Sequence, residues 1–154
     1  MVTKNPLRLA IDQLIPETGL VKKSGSWYLR QEETIGVINL QKSQYGDQYY
    51  VNIAVWLLPL GDVDFPAEHK CHIRTRLTRL LAEREQEQEL VQVLDLTVER
   101  PGREEVLKQA IEENIVPIFK SCATLTGFRQ PQGRYFLECS LVVGEAQQLL
   151  DAVV

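Results

Sequence analysis

The amino-acid sequence predicts an α+β fold, in which an antiparallel β-meander of about five strands packs against an N-terminal helix and a long proline-kinked helix. Apolar residues recur with a helical period near the N-terminus, with a period of two between residues 25 and 58, and with a helical period again after Pro101. Short connections between the strand-like runs favour antiparallel pairing. The 154 residues and 44% hydrophobic content suit a single domain over residues 1–154.

A short helix is expected at the N-terminus. Asn5 is a favourable N-cap residue, and Pro6 suits the first helical position. Apolar residues then follow one helical stripe: Leu7, Ala10, Ile11, Leu14 and Ile15. Pro16 is expected to end this helix, because proline lacks a backbone donor.

Three strand-like runs, rich in β-branched and aromatic residues, follow the first helix. They cover residues 25–31, 34–43 and 48–58. A turn at Tyr45-Gly46, or a four-residue loop over 44–47, gives the second and third runs the same pairing.

This pairing separates an apolar face of the hairpin from a polar one. Ile38 is expected opposite Ile53, and Leu40 opposite Val51. On the other face, the expected pairs are Asn39 with Asn52 and Gln41 with Tyr50.

The segment 71–80 fits either a strand or a helix. As a strand, it places His72, Arg74 and Arg76 on one face. As a helix, it groups the apolar residues Ile73, Leu77, Leu80 and Leu81. Two threonines and an isoleucine favour the strand.

The second half of the chain predicts a further strand and several helices. Residues 83–89 are strong helix formers, whereas alternation over 90–98 predicts the fifth strand. A helix is expected after Pro101-Gly102, on the stripe Leu107, Ala110, Ile111, Ile115, Ile118 and Cys122. Pro117 is expected to kink it. The segments 134–143 and 145–154 are interpreted as helical.

The order of these segments resembles a known bacterial family. The motifs are Trp-Tyr at 27–28, Asn-Leu-Gln-Lys-Ser at 39–43, Tyr-Val-Asn-Ile at 50–53, Cys-His-Ile-Arg-Thr-Arg at 71–76 and Ile-Val-Pro-Ile-Phe at 115–119. Over residues 6–122 the chain resembles the family called domain of unknown function 4304. This resemblance implies a small cytoplasmic α+β domain in which segment 71–80 forms a strand, with no established activity. It does not extend to the C-terminal residues 125–154.

The polar face of the predicted hairpin is a candidate ligand surface. It carries Asn39, Gln41, Ser43, Tyr50 and Asn52. Amide groups at fixed spacing on rigid strands offer paired donors and acceptors to a ligand. The alternative is an ordinary solvent-facing side of an antiparallel sheet.

The strand interpretation of 71–80 adds a row of cationic residues to this surface. His72, Arg74 and Arg76 would repel one another unless an anion or acidic side chains lay among them. The two interpretations are therefore an anion site and a set of structural ion pairs. His72 is also the better candidate for a general base, because its unperturbed pKa of about 6.5 needs little tuning.

Charge and motif content argue against several functional classes. Residues 1–79 hold ten Lys/Arg against eight Asp/Glu, residues 80–154 hold seven against thirteen, and the sequence pI is about 5.3. This balance does not favour nucleic-acid binding. The three cysteines lack the spacing of a zinc site or a disulfide framework, and no cofactor motif is present. No apolar run suits a signal peptide or a membrane span, so a cytoplasmic location is expected.

Two functional hypotheses follow. The first is a non-catalytic binding or interaction domain that recognises a polar or anionic ligand, or a protein partner, through the polar and cationic sheet face. The alternative is a small hydrolase or transferase acting on an anionic substrate, with His72 as general base. Neither hypothesis invokes a cofactor or a metal, and the sequence does not define an oligomeric state.

Overall fold

The computed structural model describes residues 5–153 and confirms the α+β class. A six-stranded antiparallel sheet has the order β1-β2-β3-β4-β5-β6, so each strand pairs with its neighbours in the sequence. The strands are β1 (Val21–Lys23), β2 (Ser26–Arg30), β3 (Thr34–Lys42), β4 (Tyr49–Leu57), β5 (Ile73–Arg76) and β6 (Leu141–Val142).

Helices precede the sheet, fill the chain between β5 and β6, and follow β6. They are α1 (Pro6–Asp12), α2 (Ile15–Thr18), α3 (Leu77–Leu80), α4 (Arg84–Val93), α5 (Arg103–Asn114), α6 (Val116–Ser121), α7 (Pro131–Glu138) and α8 (Gly144–Ala152). Short 3-10 helices cover Leu58–Leu60, Glu68–Lys70 and Leu125–Arg129. Within residues 5–153, no helix has the length and apolar character needed to cross a membrane.

The central hairpin has the predicted register. Ile38 pairs with Ile53, and Asn39 pairs with Asn52. Both isoleucines are fully buried in the main core, which lies on one face of the sheet. The alternation of side chains along β3 and β4 therefore places the asparagines on the opposite face.

The N-terminal helix forms as expected but ends earlier. The Asn5 side chain accepts hydrogen bonds from the backbone N–H groups of Leu7 and Arg8, and α1 packs against α5. Pro16 does not end the helical segment. It lies in the first turn of α2, where a missing N–H costs nothing.

The long helix is broken near Pro117 as predicted. At Ile115 the chain leaves α5 and enters α6, which brings the ring of Phe119 against Gly36 near the start of β3. A Cβ atom at Gly36 would lie 2.6 Å from this ring, so glycine is needed for the close approach. The predicted stripe of Leu107, Ile111, Ile115 and Ile118 is buried in the main core.

The segment 71–80 combines the two structures considered for it. Strand β5 covers Ile73–Arg76, and α3 begins at Leu77. The change of period at Leu77 lets this side chain and Leu80 both enter the main core.

The predicted strand over 90–98 is wrong. Residues up to Val93 belong to α4, and the rest form turns and a bend, apart from an isolated antiparallel bridge between Asp95 and Gln48. Leu90 and Val93 are buried while Val91 is exposed, which is a helical pattern. Arg103 then fixes the end of α4, because its buried guanidinium donates hydrogen bonds to the carbonyl oxygens of Val93, Asp95 and Val98.

Two further parts of the chain differ from expectation in detail. The C-terminal segments are largely helical, but Leu141 and Val142 pair with β5 instead. Strand β1 was not predicted, because its three residues are all exposed and show no alternation of buried and exposed positions.

A second, smaller core covers part of the other face of the sheet. The chain between β4 and β5 folds across this face. The buried residues of this second core are Tyr28, Ile35, Val37 and Ala54 from the sheet and Cys71 from the covering chain. The part of this face that carries Asn39, Asn52 and the arginines of β5 lies beside the second core. This part is the candidate site.

The helical stripe gives the first testable prediction. Ile111 has no exposed surface, so Ile111→Ala should lower the free energy of unfolding by about 2–5 kcal/mol. Ile111→Asp should prevent folding, because it would bury an unpaired charge. Urea denaturation measures the first effect and circular dichroism the second. Glu112→Ala, at an exposed position of the same helix, is the control and should change stability little. Equal stability of both alanine variants would contradict the buried stripe.

Candidate functional site

A cleft of about 300 Å³ lies on the uncovered part of the second face. Its walls come from β3, β4, the 3-10 helix Glu68–Lys70, β5, the following helix α3 and the strand β6. The lining residues are Gln41, Asn52, Glu68, Arg74, Thr75, Arg76, Arg79 and Leu141. We call it the arginine cleft.

The amide side chains on this face bind one another. Asn52 Nδ2 donates to Gln41 Oε1 at 2.9 Å and to Asn39 Oδ1 at 3.2 Å, and Asn39 Nδ2 donates to Ser26 Oγ at 3.0 Å. Asn52 is only 6% exposed. These amides therefore form a rigid support whose hydrogen-bonding groups are largely used within the sheet.

Arg76 is held in place by this support. Its Nε donates to Asn52 Oδ1 at 3.3 Å, and its guanidinium lies 4.1 Å from the centre of the Tyr50 ring. Within the part of the chain that the structure describes, no carboxylate lies within ion-pair distance of Arg76 or of its neighbour Arg79. The terminal N–H groups of Arg76 thus remain available to an anion.

Arg74 has a different role from Arg76. Its Nε and Nη2 donate to the two carboxylate oxygens of Glu68 at 3.0 and 3.3 Å. Glu68 is 8% exposed, so the pair is bidentate and partly removed from water. The ion-pair interpretation of the cationic row therefore applies to Arg74.

His72 does not join the arginines in the cleft. Its Nδ1 accepts a hydrogen bond from the backbone N–H of Leu57 at 2.9 Å, and its ring lies 4.1 Å from that of Trp56. Burial lowers the pKa of His72, and the carboxylate of Glu145 opposes this shift in part. His72 is thus a neutral acceptor that supports the end of β4.

Ser43 and Arg79 both differ from the expectation drawn from the sequence. Ser43 lies in the β3–β4 turn, where its Oγ accepts from the N–H of Tyr45, and it does not line the cleft. Arg79 does line the cleft, although the sequence did not single it out. A continuous strand would place Arg79 and Arg76 on opposite faces, and only the change to helix at Leu77 brings them to the same cleft.

Neither the two buried cysteines nor any group of metal-binding side chains in the described part of the chain provides a further reactive site. Burial raises the pKa of the Cys71 and Cys122 thiols to about 12, so neither is an activated nucleophile. Among residues 5–153, no three His, Cys, Asp or Glu side chains are grouped to hold a metal ion.

The buried histidine predicts a pH dependence of stability. In the unfolded chain His72 has a pKa of about 6.5, and burial lowers it in the folded state. The unfolded chain then binds more protons, so stability is full above about pH 6.5 and falls as the pH drops through this value. His72→Asn keeps an oxygen acceptor and should flatten the decrease between about pH 7 and about pH 5.

Urea denaturation across this pH range measures the effect. His69→Asn, at the exposed histidine three residues earlier, should retain the decrease of the parent. An unchanged pH dependence in His72→Asn would show that His72 does not produce it.

The ion pair between Arg74 and Glu68 should show coupling in a double-mutant cycle. Arg74→Gln and Glu68→Gln should each destabilise the fold, and the double variant should recover part of the loss, with a coupling of about 1–3 kcal/mol. The exposed pair Arg30–Asp62, at 2.9 Å, is the control and should show coupling close to zero. Equal coupling in the two pairs, measured by urea denaturation, would contradict the structural role of Arg74.

Comparison with known proteins identifies the family. Comparisons with curated proteins and with solved structures find no match. The family model described as Domain of unknown function (DUF4304) matches residues 12–121, which span the chain from the end of α1 to the end of α6. This region includes the hairpin, β5 and all of the arginine cleft except Leu141. The chain therefore belongs to the DUF4304 family.

Proposed function

We propose that this protein is a non-catalytic binding domain whose arginine cleft recognises an anionic group on a small ligand or a protein partner. The observation that carries this proposal is the position of Arg76. Tyr50 and Asn52 hold its guanidinium, and its terminal N–H groups have no carboxylate partner among the described residues. A guanidinium held in this way loses little side-chain entropy when it binds a carboxylate or a phosphate.

The local charge supports the same conclusion. The whole chain has a formal net charge of −4, yet the cleft contains three arginines and one carboxylate. Glu68 neutralises Arg74, which leaves the charges of Arg76 and Arg79 for a bound anion. Arginine is well suited to bidentate recognition of such groups.

The catalytic alternative has less support. It requires a general base within hydrogen-bonding reach of a substrate held by the arginines. His72, the candidate base, is 9% exposed, does not line the arginine cleft, and uses Nδ1 to accept from the Leu57 backbone. The open cleft is better suited to binding than to chemistry that requires a water-poor site.

We also propose a cytoplasmic location. Cys71, Cys122 and Cys139 are all unpaired thiols, two of them buried. This use of cysteine is typical of a reducing compartment.

Anion titration tests the binding proposal. Phosphate should shift the NMR signals of the Arg76 and Arg79 side chains in a saturable and salt-sensitive way. Arg76→Gln should weaken phosphate binding about tenfold, which corresponds to about 1.4 kcal/mol. Arg129→Gln makes the same change of charge at an exposed position beside α7, and it should leave the affinity nearly unchanged.

Two results would contradict the proposal. The first is the absence of a saturable phosphate response in the parent protein. The second is an equal loss of affinity in Arg76→Gln and Arg129→Gln, which would reflect net charge and not a site.

A further inference from the structure

A second cleft, of about 310 Å³, lies on the other side of Arg76. Its walls include Tyr49, Tyr50, Val51, Thr78, Val91 and Leu94. Arg76 lines both this cleft and the arginine cleft, so the two spaces meet at this residue. We call the second space the apolar cleft.

The apolar cleft exists because β4 is longer than β5. The pairing between the two strands ends at Asn52 and Arg76, and β4 continues to Tyr49 without a β5 partner. Helix α4 lies beside this unpaired end, where the Tyr49 N–H donates to the Leu94 carbonyl oxygen at 2.9 Å. The space between strand and helix is therefore built into the fold.

Gln48, another residue lining the apolar cleft, links β4 to α4 by hydrogen bonds. Gln48 Nε2 donates to the carbonyl oxygens of Tyr49 and Val91, both at 3.2 Å. Together with the bond between Tyr49 and Leu94, these contacts connect β4 to α4. The cleft volume of about 310 Å³ between these two elements suits a compact group.

We infer that the anion bound by Arg76 carries a compact apolar or aromatic group, which occupies the apolar cleft; this inference rests on the proposed function. Arg76 is the single charged residue lining the apolar cleft among the described residues, and the other walls are aromatic, aliphatic or neutral. An anionic head beside Arg76 would thus place an attached ring against Tyr49, Val51 and Val91.

The size of the two clefts agrees with this ligand class. Ligand pockets commonly measure about 300–1,000 Å³ and combine apolar walls with a few polar groups that fix orientation. Each cleft alone lies at the lower end of this range, and the two together lie within it. The ligand class is therefore a small molecule in which a phosphate or carboxylate is attached to an apolar body.

The test compares phenyl phosphate, inorganic phosphate and phenol as probes in NMR titrations. Phenyl phosphate should bind at least about tenfold more tightly than inorganic phosphate, because its ring is removed from water. Phenol should bind far more weakly than phenyl phosphate. Benzoate compared with acetate gives the corresponding test for a carboxylate head group.

Substitutions in the walls locate the ring. Val91→Gln should remove most of the advantage of phenyl phosphate and leave the affinity for inorganic phosphate unchanged. Val91 is 44% exposed on α4, and the control Val21→Gln changes a 54% exposed valine on β1, outside both clefts. Val21→Gln should keep the full advantage. Arg76→Gln should weaken binding of both phosphates.

The outcomes separate this inference from the proposed function. If both head groups bind but neither phenyl phosphate nor benzoate binds more tightly than its head group alone, the inference is overturned and the anion site remains. An advantage that survives in Val91→Gln would also overturn it, because the ring would lie elsewhere. If phenol binds as tightly as phenyl phosphate and Arg76→Gln has no effect on either phosphate, the proposed function itself fails.

Discussion

The register between β3 and β4 is the constraint on which the rest of the structure depends. The strands pair over nine residues each, and side chains alternate between the two faces. A slip by one residue would move Ile38 to the polar face and Asn39 into the core. The same alternation places Asn52 where it can bind both its neighbours on β3 and Arg76 on β5. The core and the arginine cleft therefore arise from one pairing.

Sequence patterns predicted the features that depend on local or periodic information. The period of two along the hairpin allowed its register to be predicted. The missing N–H of Pro117 predicted an interruption of the long helix, which is observed between α5 and α6. The position of Phe119 over Gly36 was not predictable in this way. This contact depends on the position at which α6 packs on the sheet, and that position is set by packing between segments far apart in the chain.

The errors also have a physical cause. Over 90–98 the alternation of apolar residues resembled a strand, but the chain there packs one side of a helix against the core, and Arg103 holds the helix end through backbone carbonyls. Sequence could not distinguish Arg74 from Arg76 on β5, since the carboxylate that binds Arg74 comes from Glu68 in a short 3-10 helix between β4 and β5. The strand periodicity thus predicted that Gln41, Asn52, Arg74 and Arg76 share a face, whereas the positions of His72, Ser43 and Arg79 and the division of roles among the arginines depend on tertiary structure.

The order of the strands has a consequence for folding kinetics. Strands β1 to β5 lie between Val21 and Arg76, and each pairs with the strand before it, so these contacts have low sequence separation. Strand β6 follows α3 to α7 in the chain, and its pairing with β5 covers two residues. Synthesis from the N-terminus therefore makes the residues of β1 to β5 available for pairing before those of β6. In the folded molecule, the pairing of β6 with β5 is the shortest in the sheet.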